Sequence, residues 1–137
     1  MTAHTAPEDL YRQGLRMLLD KDVPGRVGLW DEAGVFEFPF APDGWPRRLE
    51  GRGAVAAYMR DPSDLIGLHD LPYVEIHRAD APGTIGVEMR GVGRVVETGG
   101  PFGMACIAVV TFEGGLIVRY RDYGNPLVAQ GLSGGGR

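Results

Sequence analysis

The second half of the chain contains four long segments with the composition of β-strands. They are LPYVEIHRA at 71–79, TIGVEMRGVGRVVE at 84–97, MACIAVVTF at 104–112 and LIVRYRDY at 116–123. The connections DAPG, TGGPFG and EGG are rich in the residues of hairpin turns. Two of the segments alternate apolar and charged side chains, which is typical of a strand with one buried face. This half therefore predicts a four-stranded antiparallel meander.

The first half predicts helices and short strands. Residues 7–21 have apolar side chains at helical spacing and acidic residues where a first turn would lie. Four further elements are predicted: a short helix within 22–34 that closes at Gly34, a strand over 35–40, a return strand over 47–51 and a helix over 53–59. Helices followed by a long antiparallel sheet predict an α+β domain in which helices cover one face of the sheet. A curved sheet covered in this way leaves a hollow.

Size and charge restrict the function. A chain of 137 residues is long enough for one compact domain, and its net charge of −4 gives no basic surface for nucleic acid or an anionic membrane. We predict disordered tails at 1–7 and 131–137, and a short turn of helix in NPLVAQGL. A single cysteine, Cys106, and the absence of a leader-like or long apolar stretch predict a cytoplasmic protein. The spacing of the histidines predicts no metal, and we expect no cofactor.

The last segment places an acid in phase with apolar residues. Within LIVRYRDY, Asp122 shares a face with Tyr120 and Val118, whereas Arg119 and Arg121 point the other way. In TIGVEMRGVGRVVE, two glycines in mid-strand, Gly91 and Gly93, are of the kind found where a sheet bends sharply or something approaches the backbone. The pattern predicts a carboxyl group that faces a cavity.

The order of helix, helix, VFEFPF, LEG, helix and a meander ending in IVRYRDY resembles the nuclear transport factor 2-like superfamily. Within it, the chain is most similar to SnoaL-like polyketide cyclases and phenazine biosynthesis A/B-like proteins. The resemblance implies one SnoaL-like domain over 8–130, a cone of helices on a strongly curved, mostly antiparallel sheet, and a homodimer. It also implies a small hydrophobic or aromatic metabolite as the ligand.

Catalytic positions of the superfamily match only in part. Where ketosteroid isomerases have a carboxylate base, a tyrosine and a protonated aspartate, the chain has Phe38, Gly14 and Ala108. Limonene-epoxide hydrolases resemble it at RDY, yet their tyrosine and asparagine fall at Phe36 and Phe38, and their arginine and second aspartate fall at Met89 and Gly91. The resemblance therefore disfavours both mechanisms.

The acid of the last strand is the position that is kept. The acid/base aspartate of SnoaL-like cyclases and a glutamate of phenazine A/B-like proteins correspond to Asp122, and a histidine of the latter corresponds to Tyr58. Asp122 could instead be a structural carboxylate paired with a backbone N–H or with Arg48. Tyr58 is either a hydrogen-bond donor to substrate or an aromatic side chain that packs with its hydroxyl at the surface.

The candidate site thus has catalytic Asp122 and Tyr58 inside an apolar wall. The predicted substrate-binding residues are Trp30, Phe36, Phe38, His69, Met89, Met104, Cys106 and Tyr120. Most of these could equally form a packed core. His69 is predicted in a loop that could reach the mouth of the pocket, but such a loop histidine beside an acid, here Asp70, is more often a surface or structural group. The favoured function is a cofactor-independent cyclase or isomerase of secondary metabolism that acts on a polyketide-like or carbonyl-bearing substrate. Its alternatives are a pocket protein without catalysis and an enzyme that opens epoxides.

Overall fold

The computed structural model describes residues 6–124, apart from the side chains of 61–65. Three helices, two short strands and four long strands follow one another along the chain. They are α1 (Pro7–Leu19), α2 (Val23–Val27), β1 (Trp30–Glu37), β2 (Arg48–Glu50), α3 (Arg52–Leu65), β3 (Ile66–Arg78), β4 (Thr84–Val95), β5 (Pro101–Glu113) and β6 (Leu116–Gly124). The predicted turn in NPLVAQGL and the tails lie outside the described residues, except that α1 already begins at Pro7.

The six strands form one curved, open, mixed sheet in the order β2-β1-β6-β5-β4-β3. The meander β3 to β6 is antiparallel throughout, as the hairpin signals predict, and β1 joins it by pairing parallel to β6. The α+β prediction is confirmed. None of the helices among the described residues is long and apolar enough to cross a membrane.

The helix predicted up to Gly34 is wrong in its second half. Helix α2 ends at Val27, and strand β1 begins at Trp30, which pairs with Ile117 of β6. The backbone of Leu29 also accepts a hydrogen bond from the Ile117 N–H at 2.8 Å. Pairing with a strand almost ninety residues later decides this segment, and no local pattern reports it.

Helix α3 and strand β3 are longer than predicted. The helix continues to Leu65 through the segment DPSD, and β3 starts at once with Ile66. Residues 66–68 gain backbone hydrogen bonds because they pair with residues 93–95 of β4. The loop predicted around His69 is therefore part of a strand.

Two irregularities shape the sheet. A side chain on Gly93 would collide with the backbone of Gly67 and Leu68, next to a register shift in β3, so the predicted close backbone approach is present. In β6 a bulge leaves Val118 as an extra residue between the pairs Phe112–Ile117 and Thr111–Arg119. Ile117 therefore shares the inner face with Tyr120 and Asp122, and the assignment of Val118 to that face is wrong.

The core lies between the helices and the inner face of the sheet. In β4 buried Val87 and Met89 alternate with Glu88 and exposed Arg90, as the sequence pattern requires. Fully buried side chains from β1, α3, β4 and β5 form its centre: Trp30, Val55, Val87 and Val110. The part of the inner face nearest the end of β6 is not filled by these side chains, and a cavity remains there.

Candidate active site

A cavity of about 610 Å³ lies between the three helices and the inner face of the sheet. This volume is in the range of pockets that enclose a small organic ligand. The wall contains both predicted catalytic residues and seven of the eight predicted binding residues: Asp122, Tyr58, Trp30, Phe36, Phe38, Met89, Met104, Cys106 and Tyr120. Trp45 and Phe40 from the segment after β1 also line it. The fold thus brings together predicted site residues from β1, α3, β4, β5 and β6.

Asp122 is the carboxyl group of this cavity. Its Oδ1 is buried and has no hydrogen-bond partner among the described residues. Burial raises the pKa of Asp122 to about 6, and the opposing effect of the Gly124 backbone N–H is smaller. Near neutral pH the group is therefore ionised yet close to its pKa, which suits a general acid or base.

Arg48 does not pair with Asp122, so the ion pair of the structural alternative is wrong, whereas its other form, a backbone N–H on the carboxyl, is present at Gly124. The Arg48 guanidinium binds Glu50 at 2.7 Å and Glu37 at 3.0 Å, and Arg119 binds the same Glu37 at 2.8 Å. These groups lie on the outer side of β1, β2 and β6. Arg48 and Arg119 are thus paired on the outer face of the sheet, while Asp122 lies on the inner face.

Two tyrosine hydroxyls form a pair beside the acid. The hydroxyl oxygens of Tyr11 and Tyr120 are 2.7 Å apart, and the Tyr11 hydroxyl also lies 3.9 Å from the sulfur of Met89. Burial raises the pKa of both tyrosines, and the charge of Asp122 adds to this effect. Both hydroxyls therefore keep their protons. Tyr11 has one proton, which it donates either to the Met89 sulfur or to Tyr120. When it donates to Tyr120, the proton of Tyr120 is available to a ligand oxygen.

Tyr11 is one of the apolar side chains at helical spacing in residues 7–21, and the sequence pattern predicts no other role for it. A buried tyrosine generally finds a hydrogen-bond partner for its hydroxyl, so its place in a buried stripe was the one indication of a polar contact. The identity of that partner is a property of the fold, because Tyr120 is 109 residues away.

Tyr58 packs its ring into the wall, and its role as a hydrogen-bond donor to substrate stays a prediction. Its ring packs against Phe38 and Phe36, with centroid distances of 5.0 and 6.1 Å. Its hydroxyl makes no hydrogen bond to any described side chain or backbone group, and burial together with Asp122 raises its pKa. The ring belongs to the wall, while the hydroxyl stays available to a ligand.

The aromatic wall is continuous. Phe36 stacks on Phe38 at 4.3 Å and on Trp30 at 5.2 Å, and its ring is 4.8 Å from that of Tyr120. Such a surface favours flat apolar ligands. It also lies where a water-holding epoxide hydrolase site would need polar side chains.

Cys106 lines the cavity as a protonated thiol. Burial and the charge of Asp122 raise its pKa to about 12. A thiol in this state is a poor nucleophile and a poor metal ligand.

His69 is not in the cavity wall, contrary to its assignment as a binding residue. It lies in β3 with an exposed side chain. The reason is the early start of β3, which removes the loop that would have carried the histidine to the mouth.

The outer face of β3 and β4 brings together Glu75, His77 and Glu88, whose possible ligand atoms lie within 4.8 Å of one another. His77 Nε2 is 2.6 Å from Glu88 Oε2, and Glu75 accepts a hydrogen bond from Tyr73. Ion pairing and hydrogen bonding account for this exposed group. The absence of a metal stays a prediction.

Arg26 of α2 is a cavity residue that the sequence analysis did not single out. Burial lowers the pKa of its guanidinium, and the hydroxyls of Tyr120 and Tyr11 partly offset this. No local motif marks it, since PGRVG reads as an ordinary helix segment.

Two curated proteins are similar to the chain over most of its length. YesE, an uncharacterized protein of Bacillus subtilis strain 168, is 40% identical over 127 residues, which are 93% of this chain and 86% of YesE. The PhzA/B-like protein PA3332 of Pseudomonas aeruginosa, also uncharacterized, is 37% identical over 122 residues, 88% of this chain and 84% of that protein.

Solved structures share the fold. A Bacillus subtilis protein proposed to be an isomerase superposes with a TM-score of 0.85 at 38% identity, covering 96% of this chain and 97% of its own. Nuclear transport factor 2-like proteins of low identity have the same architecture, with a TM-score of 0.69 for one that is 18% identical. The model of the SnoaL-like domain matches residues 11–120, from the tyrosine of α1 to its hydroxyl partner in β6. The chain is therefore a member of the SnoaL-like domain family, with a nuclear transport factor 2-like fold.

Proposed function

We propose that the protein is a cofactor-independent cytoplasmic enzyme of secondary metabolism that moves a proton at a carbon next to a carbonyl group. The observation that carries the proposal is Asp122: a carboxylate with one unpartnered, buried oxygen, in an apolar cavity beside a pair of protonated tyrosines. The substrate is a polyketide-like or other carbonyl-bearing molecule with a flat apolar body. The reaction is an aldol-type ring closure, a condensation or an isomerisation.

The chemistry needs only groups that the cavity holds. Asp122 takes a proton from the α-carbon, and the electron pair of that C–H bond moves into the carbonyl group and gives an enolate. The Tyr120 hydroxyl, supported by Tyr11, donates a hydrogen bond to the enolate oxygen. In ring closure the enolate carbon attacks a second carbonyl carbon, whose oxygen receives the proton from Asp122. In isomerisation that proton returns to a different carbon.

The shape of the cavity supplies the remaining part of the barrier reduction. Stacked aromatic rings hold a flexible substrate folded, so that two reacting carbons stay in contact, which contributes several kcal/mol in well-oriented reactions. The same rings exclude water and keep Asp122 basic enough to act near neutral pH.

A pocket protein without catalysis is the second candidate. The wall supports it, because most of the lining is apolar and would hold a hydrophobic metabolite without reaction. Epoxide opening is disfavoured by Phe36, Phe38 and Met89 in the wall.

Deuterium exchange separates these candidates without knowledge of the natural substrate. 2-Tetralone, a flat ketone with acidic α-hydrogens, is incubated with the protein in D₂O, and loss of the α-proton signal is followed by NMR. We expect exchange well above the buffer rate, rising with pH through about 6, and collapse in Asp122→Asn. The matched control is Asp70→Asn, since Asp70 is exposed on β3. Exchange at the buffer rate, or binding of the ketone without exchange, would favour the pocket protein. Equal accelerated exchange in wild type and Asp122→Asn would refute the role of Asp122.

A further inference from the structure

Arg26 is a charged cavity residue for which the proton transfer has no use. It lies in the last turn of α2, a helix whose first turn is fixed because the carboxylate of Asp22 accepts a hydrogen bond from the Gly25 N–H at 2.9 Å. The backbone from which Arg26 extends into the wall is therefore fixed. Its side chain is partly buried, and its hydroxyl neighbours, Tyr11 and Tyr120, carry no charge.

No carboxylate of the described residues forms an ion pair with Arg26. Some other arginines do have such partners: Arg48 and Arg119 bind Glu37, and Arg12 lies 3.8 Å from Glu8. Arg121 of β6 has a buried Nε without a hydrogen-bond partner among the described residues, but it does not line the cavity. Holding a guanidinium in an apolar wall without a counter-ion is unfavourable. The arrangement becomes favourable when the counter-ion arrives with the ligand.

We propose that Arg26 binds a carboxylate of the substrate, so that the substrate is an apolar molecule with one carboxylate in addition to its reacting carbonyl group. The inference rests on the proposed function, because it assigns the substrate class of the same cavity. The planar fork of a guanidinium matches the two oxygens of a carboxylate. Apart from Lys21, the wall around Arg26 is mostly aromatic and aliphatic, which fits a ligand with one charged end and a hydrophobic body.

The position of the tyrosine pair orients such a ligand. Tyr11 is within electrostatic reach of both Arg26 and Asp122, while these two charges form no ion pair with each other. A ligand with its carboxylate on Arg26 would extend past the hydroxyls of Tyr11 and Tyr120 towards Asp122. The carboxylate and the reacting carbonyl are then separate groups of one molecule, and Arg26 is a specificity-determining residue.

Two probes of equal shape test this. Binding of 2-naphthoate and of 2-naphthamide to the full chain is measured by calorimetry at pH 7.5, for the wild type, for Arg26→Gln and for Arg12→Gln, an exposed arginine of α1. We expect the wild type to bind the acid at least tenfold more tightly than the amide. Arg26→Gln should lose that preference by weakening the acid alone, and Arg12→Gln should keep it.

The comparison of acid and amide in the wild type tests for a bound carboxylate even if Arg26→Gln does not fold. Because Lys21 also lines the cavity, a preference that persists in folded Arg26→Gln would overturn the role of Arg26. Equal affinity for the two probes in the wild type would overturn the role of Arg26 while leaving the cavity and its proton transfer in place. Loss of both probes to the same extent in Arg26→Gln would also overturn it. Failure of both probes to bind the wild type would count against the ligand cavity itself, and so against both proposals.

Discussion

When asparagine replaces Asp122, the stability of the protein relative to the wild type should be higher at neutral pH than in acid. In the unfolded chain the carboxyl has its ordinary pKa of 3.8, whereas burial raises the pKa in the fold to about 6. Between these values the folded protein binds more protons than the unfolded chain. The free energy of unfolding of the wild type therefore falls as the pH rises from about 4 to about 6, and stays low above that.

The size of the effect follows from the pKa difference. A difference of about 2 corresponds to about 3 kcal/mol, because a tenfold change in an equilibrium constant is worth about 1.4 kcal/mol. This is an upper value, since water that enters the cavity screens the charge. Asparagine has no charge to desolvate. Its amide adds a cost of about 1 to 3 kcal/mol if it is unpaired, but that cost does not depend on pH.

The measurement is urea unfolding of wild type and Asp122→Asn at pH 4 and pH 8. We expect the stability of the variant relative to the wild type to rise by about 2 to 3 kcal/mol between the two conditions. The other titrating groups cancel because they are common to both proteins. Asp70→Asn, on the exposed surface of β3, should leave the pH dependence close to that of the wild type.

A difference between wild type and variant that is the same at pH 4 and pH 8 would refute the reasoning. It would mean that Asp122 has a similar pKa in the folded and unfolded chain. The carboxylate would then be well solvated or paired, and the central premise of the proposed function would fail with it.

Three further predictions concern other parts of the molecule. Because the pKa of Cys106 is raised from 9.0 to about 12, alkylation by iodoacetamide at pH 8 should be at least about 100-fold slower in the folded protein than in urea. Alkylation rates of the folded and the urea-unfolded protein within tenfold of each other would contradict the burial of the thiol. Gly93→Ala should lower the free energy of unfolding by more than about 2 kcal/mol, because the added methyl group clashes with the β3 backbone. Gly86→Ala, which has open space around it in the same strand, should change that free energy by less than about 1 kcal/mol. Similar unfolding midpoints for the two variants would count against the close approach at Gly93. The homodimer implied by family resemblance stays a prediction. Ile107 is 51% exposed on the outer face of the sheet, so Ile107→Glu should convert a dimer to a monomer in sedimentation velocity. A wild type that already sediments as a monomer would refute the predicted homodimer.

The strand pattern predicted the site better than it predicted the helices. Asp122 and Tyr120 were placed on one face because side chains alternate strictly along a strand, and this is a local property. The early end of α2 and the long β3 were missed, since both depend on pairing with distant strands. His69 was misplaced for the same reason.

Sequence alone determined the meander, the two faces of its strands and the acid that points inward, because a period of two is contained in a few consecutive residues. Only the tertiary structure decided what surrounds that acid. The hydroxyl contact between Tyr11 and Tyr120, the approach of Arg26 from α2 and the bulge that exchanges Val118 for Ile117 all arise from the packing of segments far apart in the chain. The pKa of Asp122 belongs to this second group, because desolvation is a property of the closed cavity and not of the residue.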